Sequence, residues 1–308
     1  AGTFGLTFDF TLPKHLDAKY FKKRPADLRQ RILKSSADIP IVRFGSMEIT
    51  PEFIHGRNQG QQSMLAGLKI HLVGCGTIGG HLATYLTRLG AGAKGGELVL
   101  IDIDLFWASN LGRHVLGMKH LFSMKANALA EHLQEEFPYL KITPRPIDVL
   151  SFGKLFDCDL VIDATGEEAV SIVINHRHVT RGDRRPPVLY AWVEGAGYAV
   201  KTLLVANPKT LCYQCQFLRT SSGERRERFP ALLDAAAETR QIADCEAFTP
   251  FPVSASVSAA SLALEVIMDR QRGKPGHRLR SRRLSEQHTE NRKDSSPPRL
   301  VTCAECGS

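Results

Sequence analysis

No run of apolar residues in this sequence approaches the roughly 18 needed to cross a bilayer. The first residues also lack the basic-then-apolar order of a secretory leader. These two absences exclude a helical membrane protein and predict a cytoplasmic setting. No internal repeat is evident, which excludes a solenoid or propeller. Aromatic and β-branched residues are nearly missing from the last forty positions. That region therefore has little with which to build a core of its own.

What is present is a chain of 308 residues with 43% hydrophobic content, enough for a sizeable buried core in one large α/β domain or two smaller ones. It begins at Ala1, which leaves open a processed product or a segment of something longer. The net charge of +8 is mostly local, because ten basic residues between Arg270 and Arg299 face three acids there. With Ser295-Ser296-Pro297-Pro298 closing that stretch, residues 271–308 read as a basic, flexible, solvated connector ending in a CxxC element. Contact with nucleic acid is the competing reading and the weaker one.

Along the chain, residues 1–60 form a mixed lead-in with a charged helix expected from Lys19 to Lys34 and a strand from Ile39 to Phe44. From Lys69 the pattern changes to alternating strands and helices, and residues 61–270 read as one nucleotide-binding domain. Strands are expected at Ile70–Val73, Glu97–Ile101, Ile142–Ile147, Leu160–Ile162, Val188–Val193 and Ala199–Val205. Helices are expected at Ile78–Leu89, Ser123–Glu136, Glu167–His178 and Ser254–Asp269. The alternation predicts an α/β fold, a doubly wound, mostly parallel Rossmann-like sheet with helices on both faces.

Gly74-Cys75-Gly76-Thr77-Ile78-Gly79 closes a strand and opens a helix. Gly74, Gly76 and Gly79 let the backbone approach a phosphate, and the helix start offers unpaired N–H groups. Asp102, at the end of the next strand, is placed for a ribose hydroxyl pair, with Asp104 two residues on. The loop alone does not separate NAD, flavin and adenylating enzymes. The segment after it does, because Asn110 and Arg113 follow the acids within a short loop. Hydride transfer has little use for such a pair. An enzyme handling ATP does: the amide holds a phosphate oxygen and the guanidinium offsets charge that develops during transfer. Lys125 supplies a second cation, and Asp163, at a strand's carboxyl end, can hold Mg²⁺.

Cys212-x-x-Cys215 and Cys303-x-x-Cys306 are paired elements suited to a tetrahedral Zn²⁺, since two intervening residues let both sulfurs reach one metal. Disulfide or redox chemistry is the alternative, and a reducing compartment disfavours the first. Cys245 stands alone in a loop before the long helix, an accessible place for a nucleophile. Its neighbours Asp244 and Glu246 oppose a thiolate, while the approaching helix start and nearby cations favour one. Cys75 and Cys158 read as small core residues.

From about Arg57 onward, the glycine loop, the Asp102-x-Asp104 pair, Ser109-Asn110-Leu111-x-Arg113 and Asp163 resemble the ubiquitin-activating-enzyme family, which includes the ThiF/MoeB-type adenylyltransferases. The resemblance implies an enzyme that binds ATP and Mg²⁺ and adenylates the C-terminal glycine of a ubiquitin-like small protein, working as a homodimer. It implies a phosphate role for Asn110, Arg113 and Lys125, and an arginine, Arg57, supplied across the dimer. It also implies a structural zinc on the four paired cysteines, pinning the C-terminal segment, and a thioester or sulfur-transfer role for Cys245. Gly112 and His114 depart from what many relatives place around the arginine. The lead-in and the Gly-Cys-Gly-Thr-Ile-Gly-Gly and Asn-Leu-Gly-Arg-His segments look closer to activating enzymes of bacterial ubiquitin-like conjugation operons, antiviral defence among them, than to cofactor-biosynthesis members. Such enzymes pass the activated protein to a conjugating enzyme. A sulfur-carrier adenylyltransferase for thiamine or molybdopterin synthesis, an NAD-dependent oxidoreductase and a non-catalytic binding module are the alternatives.

Overall fold

The computed structural model describes residues 3–8, 22–35, 41–57, 65–181, 185–207, 210–219, 224–233, 241–243 and 246–307. The chain divides into two units, Ala1–Ile54 and His55–Ser308. In the first, β1 (Thr3–Phe8) pairs antiparallel with β2 (Ile41–Ser46), and α1 (Pro25–Ser35) lies between them in sequence. A short helix, α2 (Pro51–Gly56), follows in sequence.

The second unit is built on a seven-stranded sheet. Its elements in chain order are β3 (Lys69–Val73), α3 (Thr77–Arg88), β4 (Glu97–Ile101), α4 (Lys125–Glu136), β5 (Ile142–Arg145), β6 (Leu160–Asp163), α5 (Glu168–Thr180), β7 (Val188–Glu194) and β8 (Ala199–Val205). Two short hairpins follow, β9 (Phe217–Arg219) with β10 (Arg225–Glu227) and β11 (Gln241–Ala243) with β12 (Glu246–Phe248). Helix α6 (Val253–Gln271) and strand β13 (Leu279–Arg283) come last.

The strand order is β13-β8-β7-β6-β3-β4-β5, parallel from β7 to β5 and antiparallel at β8 and β13. The parallel strands are near-continuous apolar runs because both faces are covered. Ile70, Leu72, Leu98 and Leu100 pack with residues of α3, α4 and α6 on one face. Val73, Val99, Ile101 and Val161 pack on the other with α5 and the Cys212–Cys306 region. The expected doubly wound sheet with helices on both faces is therefore the one observed. Sequence order reverses between β3 and β6, and at such a switch point the connections leave in opposite directions and open a crevice at the strands' carboxyl ends.

The basic segment departs from the solvated connector expected of it. Leu279–Arg283 is an edge strand on β8, and Leu279 exchanges two backbone hydrogen bonds with Ser295 further along. Several of its arginines are paired with acids of α6 or of the segment itself. Arg280, nearly buried, donates to Asp269 at 2.7 Å, and Arg282 pairs with Asp294 at 3.1 Å and Glu265 at 3.0 Å. Much of the local positive charge is thus neutralised within the fold.

Candidate functional site

The glycine loop sits at the switch point. Gly74 adopts φ +86°, and a Cβ there would come within 2.8 Å of the Thr165 backbone beyond β6. The loop after β3 and the loop after β6 are therefore in contact, and only glycine permits it. A Cβ on Gly79 would overlap the Gly74 carbonyl oxygen, so helix α3 packs directly against the turn that opens it. Gly76 differs from both: a Cβ there would meet nothing within 4 Å. It precedes α3 with no side-chain cap, so no side chain takes the helix's first N–H groups.

Asp102 closes the loop from β4. Its Oδ2 accepts from the Cys75 N–H at 2.6 Å and its Oδ1 from the Asp104 N–H at 2.7 Å. Burial raises its pKa above the ordinary carboxylate value. Each oxygen keeps a second lone pair, which is the capacity a ribose diol requires. Lys125, at the first position of α4 and nearly buried, donates to Asp104 at 2.8 Å. Asp104 thus acts first as the partner that places Lys125, and two ammonium donors remain for another acceptor.

Asn110 accepts from the Trp107 N–H at 3.0 Å, which orients its side chain and leaves its NH₂ to donate elsewhere. The Arg113 guanidinium lies over the Phe251 ring at 4.7 Å, just before α6. Desolvation there lowers its pKa. Among the described residues its Nε–H is buried with no acceptor. A buried guanidinium N–H without a partner is costly, and an anionic ligand supplies the missing acceptor.

Asp163 ends β6 opposite Val73, and its side chain is almost wholly buried. Oδ1 accepts from the Thr165 N–H at 3.1 Å and hydroxyl at 2.7 Å, and Oδ2 from the Ser171 hydroxyl at 2.6 Å. Burial raises its pKa, while these three donors hold the carboxylate in a single orientation. Of its four lone-pair positions, three are taken, so it retains room for a single further bond, as a divalent cation would make.

Sequence reasoning gave His114 no role of its own. Its Nδ1 accepts from the Leu116 N–H at 3.1 Å, so Nε2 carries the proton and donates to the Cys75 carbonyl at 2.7 Å. Burial lowers its pKa to about 4, which keeps the ring neutral. His114 thereby clamps the glycine loop to the segment that carries Asn110 and Arg113. Only its position beside Arg113 hinted at this. The Arg113–Phe251 stack carried no sequence signal, because 138 residues separate the pair.

The four paired cysteines meet. Cys212 and Cys215 sulfurs are 3.8 Å apart, Cys212 and Cys303 3.6 Å, Cys215 and Cys306 3.4 Å, and all four lie within 4.8 Å of one another, buried. A Zn–S length of about 2.3 Å places tetrahedral sulfurs ~3.8 Å apart, so the cluster has the dimensions of a zinc site. These separations are far outside disulfide bonding. The Cys212 thiol pulls Cys215 below the usual thiol range, and burial pushes Cys306 up to about 12.

Two sequence candidates are not joined to this constellation. Arg57 is exposed just after α2. Cys245 falls between β11 and β12, outside the described residues. Cys75 is buried as expected, while Cys158 is only partly so.

Comparison with known proteins gives a consistent result. An ATP-dependent ubiquitin transferase-like protein Cap2 of Pseudomonas aeruginosa is 37% identical over 280 residues, 89% of this chain and 49% of the relative. The protein of the same description from Escherichia coli is 32% identical over 228 residues, 69% of this chain and 37% of the relative. The chain thus spans half or less of the curated relatives it matches. Among solved structures, E. coli MccB shares the fold with a TM-score of 0.59 at 19% identity, over 79% of this chain and 66% of that one. Residues 49–302 match the ThiF family, and the chain belongs to that family.

Proposed function

We propose that this chain adenylates the C-terminal carboxylate of a small ubiquitin-like protein with ATP. Two observations support the reading: Arg113 has a buried unpartnered Nε–H and directly precedes His114, which is bonded to the Cys75 carbonyl, and the oriented Asp163 carboxylate ends the strand beside β3. A dinucleotide needs the glycine loop and Asp102 alone. The additional cation and carboxylate answer to a triphosphate with its metal.

In the proposed step a carboxylate oxygen of the small protein attacks the α-phosphorus and the α–β bridging P–O bond breaks. Pyrophosphate leaves with the electron pair. Asp102 orients the ribose, the open N–H groups after Gly76 and the Asn110 amide hold phosphate oxygens, and Arg113 and Lys125 offset the charge on the leaving group. Mg²⁺ held at Asp163 supplies further charge neutralisation at the phosphates. The Arg57 guanidinium completes the cation set from a second copy of the chain in a homodimer. In the next step the Cys245 thiolate attacks the acyl carbon, the bond to AMP breaks, and the thioester passes to a conjugating-enzyme cysteine. Zn²⁺ on the four cysteines ties residues 303–306 to the sheet and takes no part in the reaction. The description of the Cap2 relatives as ATP-dependent ubiquitin transferase-like supports the transferase reading.

The test is ATP–pyrophosphate exchange with small β-grasp proteins ending in glycine, followed by non-reducing mass spectrometry. Exchange that depends on the small protein and falls at least 100-fold in Arg113→Ala is the expected result, by analogy with loss of a donor to developing charge. Binding of NAD without any exchange would refute adenylation. An adduct that persists in Cys245→Ala would remove that cysteine from the thioester step.

A further inference from the structure

Among the described residues, six arginines lie over an aromatic ring: Arg88, Arg113, Arg177, Arg181, Arg225 and Arg228. Five of them also pair with a carboxylate or donate to a main-chain carbonyl. At those five the ring covers a guanidinium whose charge or donors the fold already uses. Arg113 is the exception. No carboxylate or carbonyl takes its guanidinium among the described residues, its Nε–H is buried without an acceptor, and burial acts on its charge with no acid to offset it.

The backbone that carries Arg113 is held at both ends. Its N–H donates to the Asn110 carbonyl at 3.1 Å, its carbonyl accepts from His81 Nε2 at 3.3 Å, and the next residue, His114, donates to the Cys75 carbonyl. The ring over its side chain is mounted as firmly. Phe251 directly precedes Pro252, the N-cap of the 19-residue helix α6, whose Ala255, Ala259 and Ala260 are fully buried. Gly197, at φ +86° in the turn between β7 and β8, backs the same pair: a Cβ there would come within 2.8 Å of Pro252 and 3.2 Å of Phe251. A helix of the core and a close-packed turn thus fix the one group that supports the guanidinium.

We infer that Phe251 is a positioning residue for Arg113, steadying the guanidinium while leaving its charge and its N–H donors for the phosphates of ATP. This rests on the adenylation reading and adds to it a residue that acts through Arg113. A carboxylate could hold an arginine in place as well, but it would take N–H donors and offset the charge, as Asp104 does for Lys125. An aromatic face attracts the cation through its ring quadrupole and leaves the fork of donors unspent. An arginine already paired with an acid must break that pair before it meets a phosphate. One held by a ring is organised for the developing charge beforehand, which is where electrostatic stabilisation gains its strength.

The test is a double-mutant cycle on pyrophosphate exchange, run with the full chain and the small protein that supports it. Phe251→Leu keeps an apolar side chain and loses the ring; it should lower kcat about tenfold, with KM for the small protein within about twofold. Its melting temperature should stay within a few degrees of wild type. Phe251→Tyr should bring kcat back to within about twofold, because the ring is what acts. In the Arg113→Ala background Phe251→Leu should lower exchange no further, the non-additivity expected when one residue acts only through another. Equal losses in the two backgrounds overturn the positioning role, since Phe251 then acts through the fold. An unchanged kcat in Phe251→Leu overturns it too, and both results leave adenylation standing. If the leucine variant fails to fold, Phe251→Met is read in the same way. If no small protein supports exchange with the wild-type chain, adenylation fails first and the positioning role with it.

Discussion

Protonation of His114 should unclamp the nucleotide loop, and the cost can be worked out from its surroundings. The ring is nearly buried, accepts one hydrogen bond and donates another, and must stay neutral to do both. Its pKa falls from 6.5 to about 4 in the fold. The unfolded chain therefore binds this proton more readily, so the contribution to stability is complete above pH 6.5 and is lost as pH falls toward 4. A difference of about 2.5 units corresponds to about 3 kcal/mol, with a slope approaching ~1.4 kcal/mol per pH unit inside that window. His114→Gln keeps a donor for the Cys75 carbonyl and loses the acceptor for Leu116, which should cost about 1–3 kcal/mol at pH 7.5. Urea unfolding followed by tryptophan fluorescence from pH 7.5 to 4 measures both effects. Wild type should lose about 3 kcal/mol relative to the variant across the range, which erases or reverses the gap seen at pH 7.5. His178, also lowered to about 4 by burial, titrates in both proteins and cancels. A gap that stays constant with pH would refute a neutral, clamping His114.

Gly76→Ala should leave stability nearly unchanged and weaken ATP binding tenfold or more, because its Cβ enters open space where the nucleotide approaches; calorimetric titration with ATP checks this. Gly79→Ala should instead destabilise the fold by about 1–3 kcal/mol, since its Cβ overlaps backbone, read as a drop in the unfolding midpoint. Asp163→Asn should abolish pyrophosphate exchange by 100-fold or more and retain the melting temperature to within a few degrees, because an amide keeps most of the bonds to Thr165 and Ser171. One Zn²⁺ per chain should be released by a thiol-reactive mercurial and detected with a colorimetric chelator, and Cys303→Ala should lower the melting temperature sharply. Absence of zinc from carefully purified protein would set aside that assignment.

The β3–α3–β4 framework of the candidate site was legible because its signals are local. An apolar run of strand length, a glycine turn and a helical period fall within twenty residues, and Glu97–Ile101 and Ala199–Val205 coincide with the observed strands. The positions of Asp102, just past β4, and Asp163, at the end of β6, followed from the apolar runs that precede them. Strand β5 stops at Arg145 rather than Ile147, where an Ile147 N–H to Arg145 carbonyl bond turns the chain. Strand β13 was illegible for a different reason. Its sequence, Leu-Arg-Ser-Arg-Arg, has no apolar alternation, and its burial depends on Asp269, Glu265 and Asp294, none of which adjoins it.

The sequence by itself determined the mostly parallel α/β architecture, the glycine turn between β3 and α3 and the four sulfurs suited to one metal, because glycine conformation, apolar period and ligand spacing act over a few residues. Only the tertiary structure decided that Phe251 strips water from Arg113, that His114 grips the glycine loop, that Lys201 is buried between two carboxylates and that the basic segment is an edge strand. Each of these is an electrostatic or hydrogen-bonding partnership between distant positions. Its strength comes from burial, and burial exists only once the sheet and its covering layers have assembled.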